Sequence, residues 1–291
     1  MPETVQACPL CGSEPFRLFD QRMFRGLPVT NRICASCGLV YQSPRMTEAE
    51  LAVFYKIEYR RLYQGTAGPD ARDLAVQGGR ADALLAFCQD RLPAVKRHLD
   101  IGCSAGLLLR RFREAYGCKA AGVEPGAAYR EYAQKQRLKV YAALDEMSVK
   151  KSTRFDLVSM VHSLEHMPHP VDYLANLREN LLRPEGWLLV EVPNLYAHDS
   201  FEVAHLVSYS AHTLRQALGK AGFEIIALEQ HGRPRSRLLP LYLTALARSM
   251  KDFAPSEVLA ERGVRLKRGW GMARRWLLER LFPWRAWLPI Q

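Results

Sequence analysis

The sequence predicts an α/β chain: a doubly wound, seven-stranded sheet preceded by a small cysteine-bound ribbon. Three observations predict it. Short apolar runs near 97–101, 119–124, 138–142, 155–161 and 187–192 alternate with amphipathic stretches. That alternation is the pattern of a parallel sheet with helices on its faces. The first run leads straight into a glycine turn, Leu99-Asp100-Ile101-Gly102-Cys103-Ser104-Ala105-Gly106. Two Cys-x-x-Cys pairs stand ahead of the first strand, Cys8-Pro9-Leu10-Cys11 and Cys34-Ala35-Ser36-Cys37.

The cysteine pairs are 22 residues apart, and each is followed by a glycine that permits a tight knuckle. Four thiolates in this arrangement make a closed tetrahedral site, suited to structural zinc held by Cys8, Cys11, Cys34 and Cys37. The rival is a pair of redox dithiols, which the flanking sequence does not support with a following helix. A ribbon of about 45 residues buries too little surface to fold without the metal. Residues 39–45 should form its last strand, and Thr47 with Glu50 should cap the next helix as a capping box.

Tyr55, Tyr59 and Tyr63 recur every four residues, either as a buried stripe or as a lid that places a hydroxyl in a site. Residues 65–79 are glycine-rich and charged and are expected to form a mobile loop, with a helix over 81–92. Beyond the fifth strand, 211–221 reads as a helix closed by Gly222, 223–229 as a sixth strand, and 241–247 as a seventh, antiparallel strand or a helix. The expected divisions are a ribbon at 1–45, a helical lid or linker at 46–95, a ligand-binding domain at 96–250 and a basic aromatic tail at 251–291.

In the glycine turn, Gly102 and Gly106 let backbone pass close to a ligand, and the free N–H groups at the following helix start favour polar or anionic groups. The next strand, Ala120-Ala121-Gly122-Val123-Glu124, ends in an acid. Its spacing from the turn is roughly that at which dinucleotide folds bind a ribose. Here the chain resembles the class I S-adenosylmethionine (SAM)-dependent methyltransferases, with their Rossmann-like sheet. Asp100-x-Gly102-x-x-x-Gly106 resembles their first motif and Glu124 their ribose-binding acid. Phe155-Asp156-Leu157-Val158 resembles their fourth-strand motif, and Leu182–Trp187 the turn before their fifth strand, with Glu185 where glycine is common. The resemblance spans about residues 96–232 and implies that SAM is held by Asp100, Gly102, Gly106 and Glu124. Together with the ribbon and its tyrosines, it is similar to zinc-ribbon methyltransferases of bacterial sugars and metabolites.

Ligands in such sheets bind at the carboxyl ends of the strands. His162 follows the fourth strand, where similar enzymes face the methyl group, and is a candidate base or a structural histidine. His166 could instead pin the next helix, and Asn194 could orient substrate. His205 precedes the helix at 211, where similar enzymes place a histidine beside the acceptor; base and hydrogen-bonding partner are both open. A hydroxyl acceptor needs its proton removed, and histidine, with an ordinary pKa of about 6.5, suits that task near neutrality. A carbon acid or an amine acceptor stays open.

The charge of +11 is concentrated: residues 232–291 carry thirteen Lys and Arg against four Asp and Glu. A near-neutral remainder argues against one continuous nucleic-acid surface. The tail mixes arginine with Trp270, Trp276, Trp284 and Trp287. It can lie on an anionic membrane surface, pack on the domain or a second subunit, or bind single-stranded RNA. No apolar run approaches the roughly 20 residues of a membrane span, and the N-terminus lacks a basic-then-apolar leader, so a cytoplasmic protein is expected, peripheral at the inner membrane face if the tail docks there. The function expected is methyl transfer from SAM to a small or carbohydrate acceptor. An RNA methyltransferase and a non-catalytic SAM-binding scaffold are the rivals.

Overall fold

A computed structural model describes residues 2–57, 62, 68–150, 153–254 and 257–289, with the side chains of 56 and 57 outside the description. Tyr59 and Tyr63 lie outside the described residues.

The N-terminal ribbon contains β1 (Phe16–Phe24), β2 (Leu27–Cys34) and β3 (Val40–Gln42), joined antiparallel. It does not end there. β3 pairs with β9 (Val207–Ser208), a two-residue strand from much later in the chain, so the ribbon sheet runs β1-β2-β3-β9. Helix α1 (Glu48–Ile57) opens with the expected capping box: the Thr47 hydroxyl accepts from the Glu50 N–H at 3.3 Å, and the Glu50 carboxylate accepts from the Thr47 N–H at 2.9 Å.

Helix α2 (Ala71–Gln89) corrects the sequence reading. It starts ten residues before the expected helix and absorbs most of the stretch assigned to a mobile loop. Its physical reason is an N-cap: the Asp70 side chain accepts from the Asp73 N–H at 2.7 Å. Gly78 and Gly79 sit inside the helix, where tertiary packing overrides their weak propensity.

The main sheet has seven strands in the order β10-β11-β8-β7-β4-β5-β6. β4 (Arg97–Ile101), β5 (Lys119–Val123), β6 (Lys139–Tyr141), β7 (Phe155–Val161) and β8 (Leu182–Pro193) are parallel. β11 (Tyr242–Ser249) runs antiparallel between β8 and β10 (Phe223–His231), so the strand reading of 241–247 holds. Between them lie α3 (Leu107–Tyr116), α4 (Ala127–Lys135), α5 (Pro170–Asn176) and α6 (Ala211–Lys220). The central strands are buried on both faces, which is why they read as continuous apolar runs. Glu185 takes a left-handed φ of 59°, the conformation that makes glycine common there. Cys103 and Cys118 are buried in the core, as expected.

The tail is α7 (Val264–Leu281) followed by α8 (Pro283–Ala286), laid against the loop after β8. Among the described residues no helix is long and apolar enough to cross a membrane.

Candidate active site

The carboxyl ends of β4, β5, β7 and β8 open into one cavity of about 680 Å³. Glu124 and Ser104 line it towards β5, and Glu202 and His205 line it beyond β8. Its volume is in the range of pockets that hold drug-sized ligands.

The first end is built by the glycine turn. Gly102 and Gly106 have φ of 78° and 77°, where an L side chain is strained. A Cβ on Gly102 would collide with the Ser163 hydroxyl, and one on Gly106 with Leu138. The N–H groups of Gly102 and Cys103 both donate to the Val123 carbonyl, at 2.9 and 3.0 Å, which ties the turn to β5. Glu124 then completes the loop. Its carboxylate accepts from the Ser104 N–H and the Gly126 N–H, each at 2.9 Å. Asp100 lies at the floor. Burial pushes its carboxyl up to about 7, and it accepts from the Ser159 hydroxyl at 2.6 Å, which in turn contacts His98 Nε2 at 2.8 Å.

Helix α2 supplies residues that the loop reading missed. Tyr129 and Gln77 both donate to one oxygen of Asp73, at 2.6 and 2.7 Å, and Gln77 accepts from the Ala105 N–H at 3.2 Å. One turn on, Arg80 is paired with Glu191 at 2.5 Å and lies 4.5 Å over the Tyr242 ring. The sequence signal for the first half of this helix was Asp70, a cap residue inside a glycine-rich stretch.

Behind the second end lies Glu191, fully buried near the end of β8. One oxygen meets Arg80 and His162 Nε2, and the other accepts from the Thr244 hydroxyl at 2.8 Å and faces His231 Nε2 at 3.3 Å. Burial raises its carboxyl, but Arg80 and His231 outweigh that and hold it below the ordinary range. His162 takes a left-handed φ of 52°. Its Nδ1 lies 3.3 Å from Glu165, and its Nε2 touches both Arg80 and Glu191. Burial and the Arg80 charge push the imidazole well below its usual pKa. With Nε2 held against Arg80 and Glu191, His162 stands as a neutral group beside a buried ion pair.

His205 differs. Its Nδ1 donates to the Ser200 carbonyl at 2.8 Å, which leaves Nε2 as the basic nitrogen. Nε2 lies 3.9 Å from Glu202 Oε2. Burial pushes His205 down to about 4, so the expected limb near 6.5 moves well to the acid side. His166 donates from Nδ1 to the Ala204 carbonyl at 2.8 Å and holds the loop that carries His205, rather than the next helix. Asn194 does not line the cavity. Its amide donates to Pro240 and Gln230 and accepts from the Tyr196 N–H, so it pins the loop after β8.

The ribbon cysteines converge. Their sulfurs lie within 4.8 Å of one another, with Cys8–Cys37 at 3.6 Å and Cys11–Cys34 at 3.5 Å. These separations are far too long for disulfides and close to the ~3.8 Å edge of a tetrahedron with ~2.3 Å metal–sulfur bonds. Gly12 and Gly38, at φ of 78° and 81°, donate back to the Cys8 and Cys34 carbonyls and close the two knuckles.

A family profile described as a methyltransferase domain matches residues 73–228. The chain belongs to this family. It is a SAM-dependent methyltransferase. A dTDP-4-amino-2,3,4,6-tetradeoxy-D-glucose N,N-dimethyltransferase of Saccharopolyspora spinosa is 25% identical over 218 residues, covering 74% of this methyltransferase and 83% of the relative. A ubiquinone biosynthesis O-methyltransferase of Rhodopseudomonas palustris is 32% identical over 103 residues, 34% of this chain and 40% of its own length. Among solved structures, a Burkholderia thailandensis 1,6-didemethyltoxoflavin-N1-methyltransferase with bound S-adenosylhomocysteine superposes with a TM-score of 0.55 at 20% identity, covering 80% of this chain and all of that one. That likeness is one of fold.

Proposed function

We propose that this methyltransferase transfers the methyl of SAM to a hydroxyl of a small polar acceptor of the sugar or metabolite class. The observation that carries the reading is the single cavity, which joins the glycine turn and Glu124 to an end lined by His205 and Glu202. SAM fits the first end on this chain's own features: two glycines where a Cβ would clash, and an acid oriented by two backbone N–H groups. Gly102 and Gly106 would let the backbone approach it, Glu124 would accept from its ribose hydroxyls, and Asp100 would fix the turn from below. When bound, SAM supplies an electrophilic methyl on its sulfonium.

The chain's residues then have positioning work to do. Arg80 and His162 line the wall beside the proposed methyl position and are paired with the buried Glu191 behind it. His205, held by the Ser200 carbonyl with Nε2 as its basic nitrogen, takes the hydroxyl proton as the acceptor attacks. The Saccharopolyspora relative supports the sugar class and favours a second reading, an amine acceptor, whose N–H would donate to the Glu202 carboxylate while the nitrogen lone pair attacks. For the ribbon, we infer one structural zinc on Cys8, Cys11, Cys34 and Cys37, since four thiols at tetrahedral spacing leave no open position for catalysis. An RNA acceptor draws less support, because the excess positive charge lies in the last 60 residues.

Incubation with methyl-tritiated SAM and three acceptor pools tests this: nucleotide sugars with free hydroxyls, their amino-sugar counterparts, and total RNA. Label in the hydroxyl sugars is expected. Label in the amino sugars alone would select the second reading, and label in RNA alone would overturn both.

A further inference from the structure

The two sides of α7 are built differently. At about 100° per residue, Val264, Arg268, Gly271 and Arg275 fall on one side, and Leu266, Trp270, Leu277 and Leu281 fall within about 60° of each other on the other. The first side is bolted to the domain. Val264 is buried in a cluster with Phe19, Leu195 and Phe201. Arg268 donates to the Leu195 carbonyl and lies 4.1 Å over the Phe201 ring. Arg275 donates to the Ala197 carbonyl at 3.1 Å. Gly271 lies so close to the Tyr196 carbonyl that a Cβ would overlap it.

Among the described residues nothing covers the second side. Trp270 is 77% exposed, Leu266 72% and Leu281 60%, and Trp284 on the short helix beyond is 85% exposed. Arg274 and Arg280, both exposed, flank the stripe. Glu279 is the only acid in the helix, and it is turned away from the stripe, bonded to Arg275 at 2.8 Å and to the Trp287 indole.

We propose that α7 seats on an anionic bilayer surface, with Leu266, Trp270, Leu277 and Leu281 in the acyl boundary and Arg274 and Arg280 among the headgroups. An apolar stripe edged by arginine and tryptophan is the composition that lies in a membrane interface, and anionic lipid supplies the opposite charge. A second copy of the chain is a poorer occupant, because two such stripes would bring arginine against arginine with no acid between them. An RNA strand is poorer still, because it has no apolar surface to bury three leucines. The docking also has a geometric consequence for the reaction. The inner side of α7 clamps residues 195–198, and His198 lines the cavity. Docking therefore holds that cavity wall about one helix diameter, ~10–12 Å, from the lipid.

Flotation of the full chain with vesicles tests the proposal. The chain should bind vesicles of mixed phosphatidylglycerol and phosphatidylcholine at low salt at least tenfold more tightly than pure phosphatidylcholine. The paired substitution Trp270→Gln and Leu277→Gln should remove that binding, and Arg274→Gln with Arg280→Gln should remove its preference for anionic lipid. SAM affinity measured by calorimetry should stay unchanged in both variants, which shows that they are folded. No flotation of the wild type, or equal flotation of wild type and the Trp270/Leu277 variant, would overturn the proposal. So would a wild-type dimer in solution that the same variant converts to monomer, or retention on single-stranded RNA that depends on the stripe.

Discussion

The two ends of the cavity are made in opposite ways. The end proposed for the cofactor is local: Gly102, Ser104, Gly106 and Glu124 span 23 residues of continuous chain, and its bonds run mainly between backbone and one carboxylate. The end proposed for the acceptor is lined by Arg80, His162, His205 and Tyr242, from four separate segments, and Arg80 and His162 meet around the buried charge of Glu191, from a fifth. The difference teaches that the part of a transferase shared across substrates can be encoded in a short motif, whereas the part that distinguishes them needs the whole tertiary fold.

Removing the metal should separate the ends most sharply. Structural zinc sites contribute roughly 10–16 kcal/mol of apparent binding energy to folding. Chelation should unfold the ribbon, release β9 and so loosen His205, while the glycine turn stays intact. Acceptor KM should rise at least tenfold and SAM affinity should change little. Elemental analysis should first find about one zinc per chain, and a metal-free chain with a folded ribbon would contradict the assignment.

Glu191→Gln comes next. It leaves the buried Arg80 charge without its counter-charge, a loss of about 3–5 kcal/mol for breaking a buried pair, readable in urea unfolding. The pH dependence has a definite sign. Arg80 and His231 hold Glu191 below the ordinary carboxylate range, so its stabilisation is complete above about pH 4.3 and is lost only as pH falls through the depressed value.

His205→Gln should lower turnover by about 10²–10⁴-fold with SAM affinity intact if the residue is the base. Because burial holds His205 near 4, the wild-type rate should stay level from pH 8 to about 5 and fall below that, rather than near 6.5. A limb at 6.5 that vanishes in the variant would show a more solvated imidazole. His162→Gln should instead perturb SAM binding and turnover together, because its nitrogens serve the network.

The smallest effect is at the local end. Glu124→Ala removes the acceptor for the ribose hydroxyls and frees two backbone N–H groups, a loss of about 1.5–3 kcal/mol of SAM affinity. Unchanged calorimetric affinity in a folded variant would remove Glu124 from the cofactor site.

The same contrast explains what could be read from the sequence. The sheet, its strand order in the chain, the glycine turn, Glu124 and the cysteine pairs follow from periodicity and spacing, which are local properties. Arg80 was hidden because Gly78 and Gly79 read as loop residues; only the Asp70 cap and packing on α3 make that stretch helical. The split between His162 and His205 was hidden as well. Both follow strands at the same rim, but Arg80, Glu165 and Glu191 enclose one and the Ser200 carbonyl orients the other. Nothing in the spacing of histidines foretells which partners the fold will bring.

Val207 and Ser208 complete the ribbon's sheet two residues after His205. In the language of chimaeras, the ribbon is therefore no cassette. Exchanging residues 1–45 with those of a related protein would leave β9 facing a foreign edge, and the Leu206 carbonyl, which accepts from the Gln42 N–H at 2.8 Å, would need a matching donor. A graft that retunes this methyltransferase must carry the 204–209 segment along with the ribbon, because inheritance of one without the other misplaces a histidine that lines the cavity.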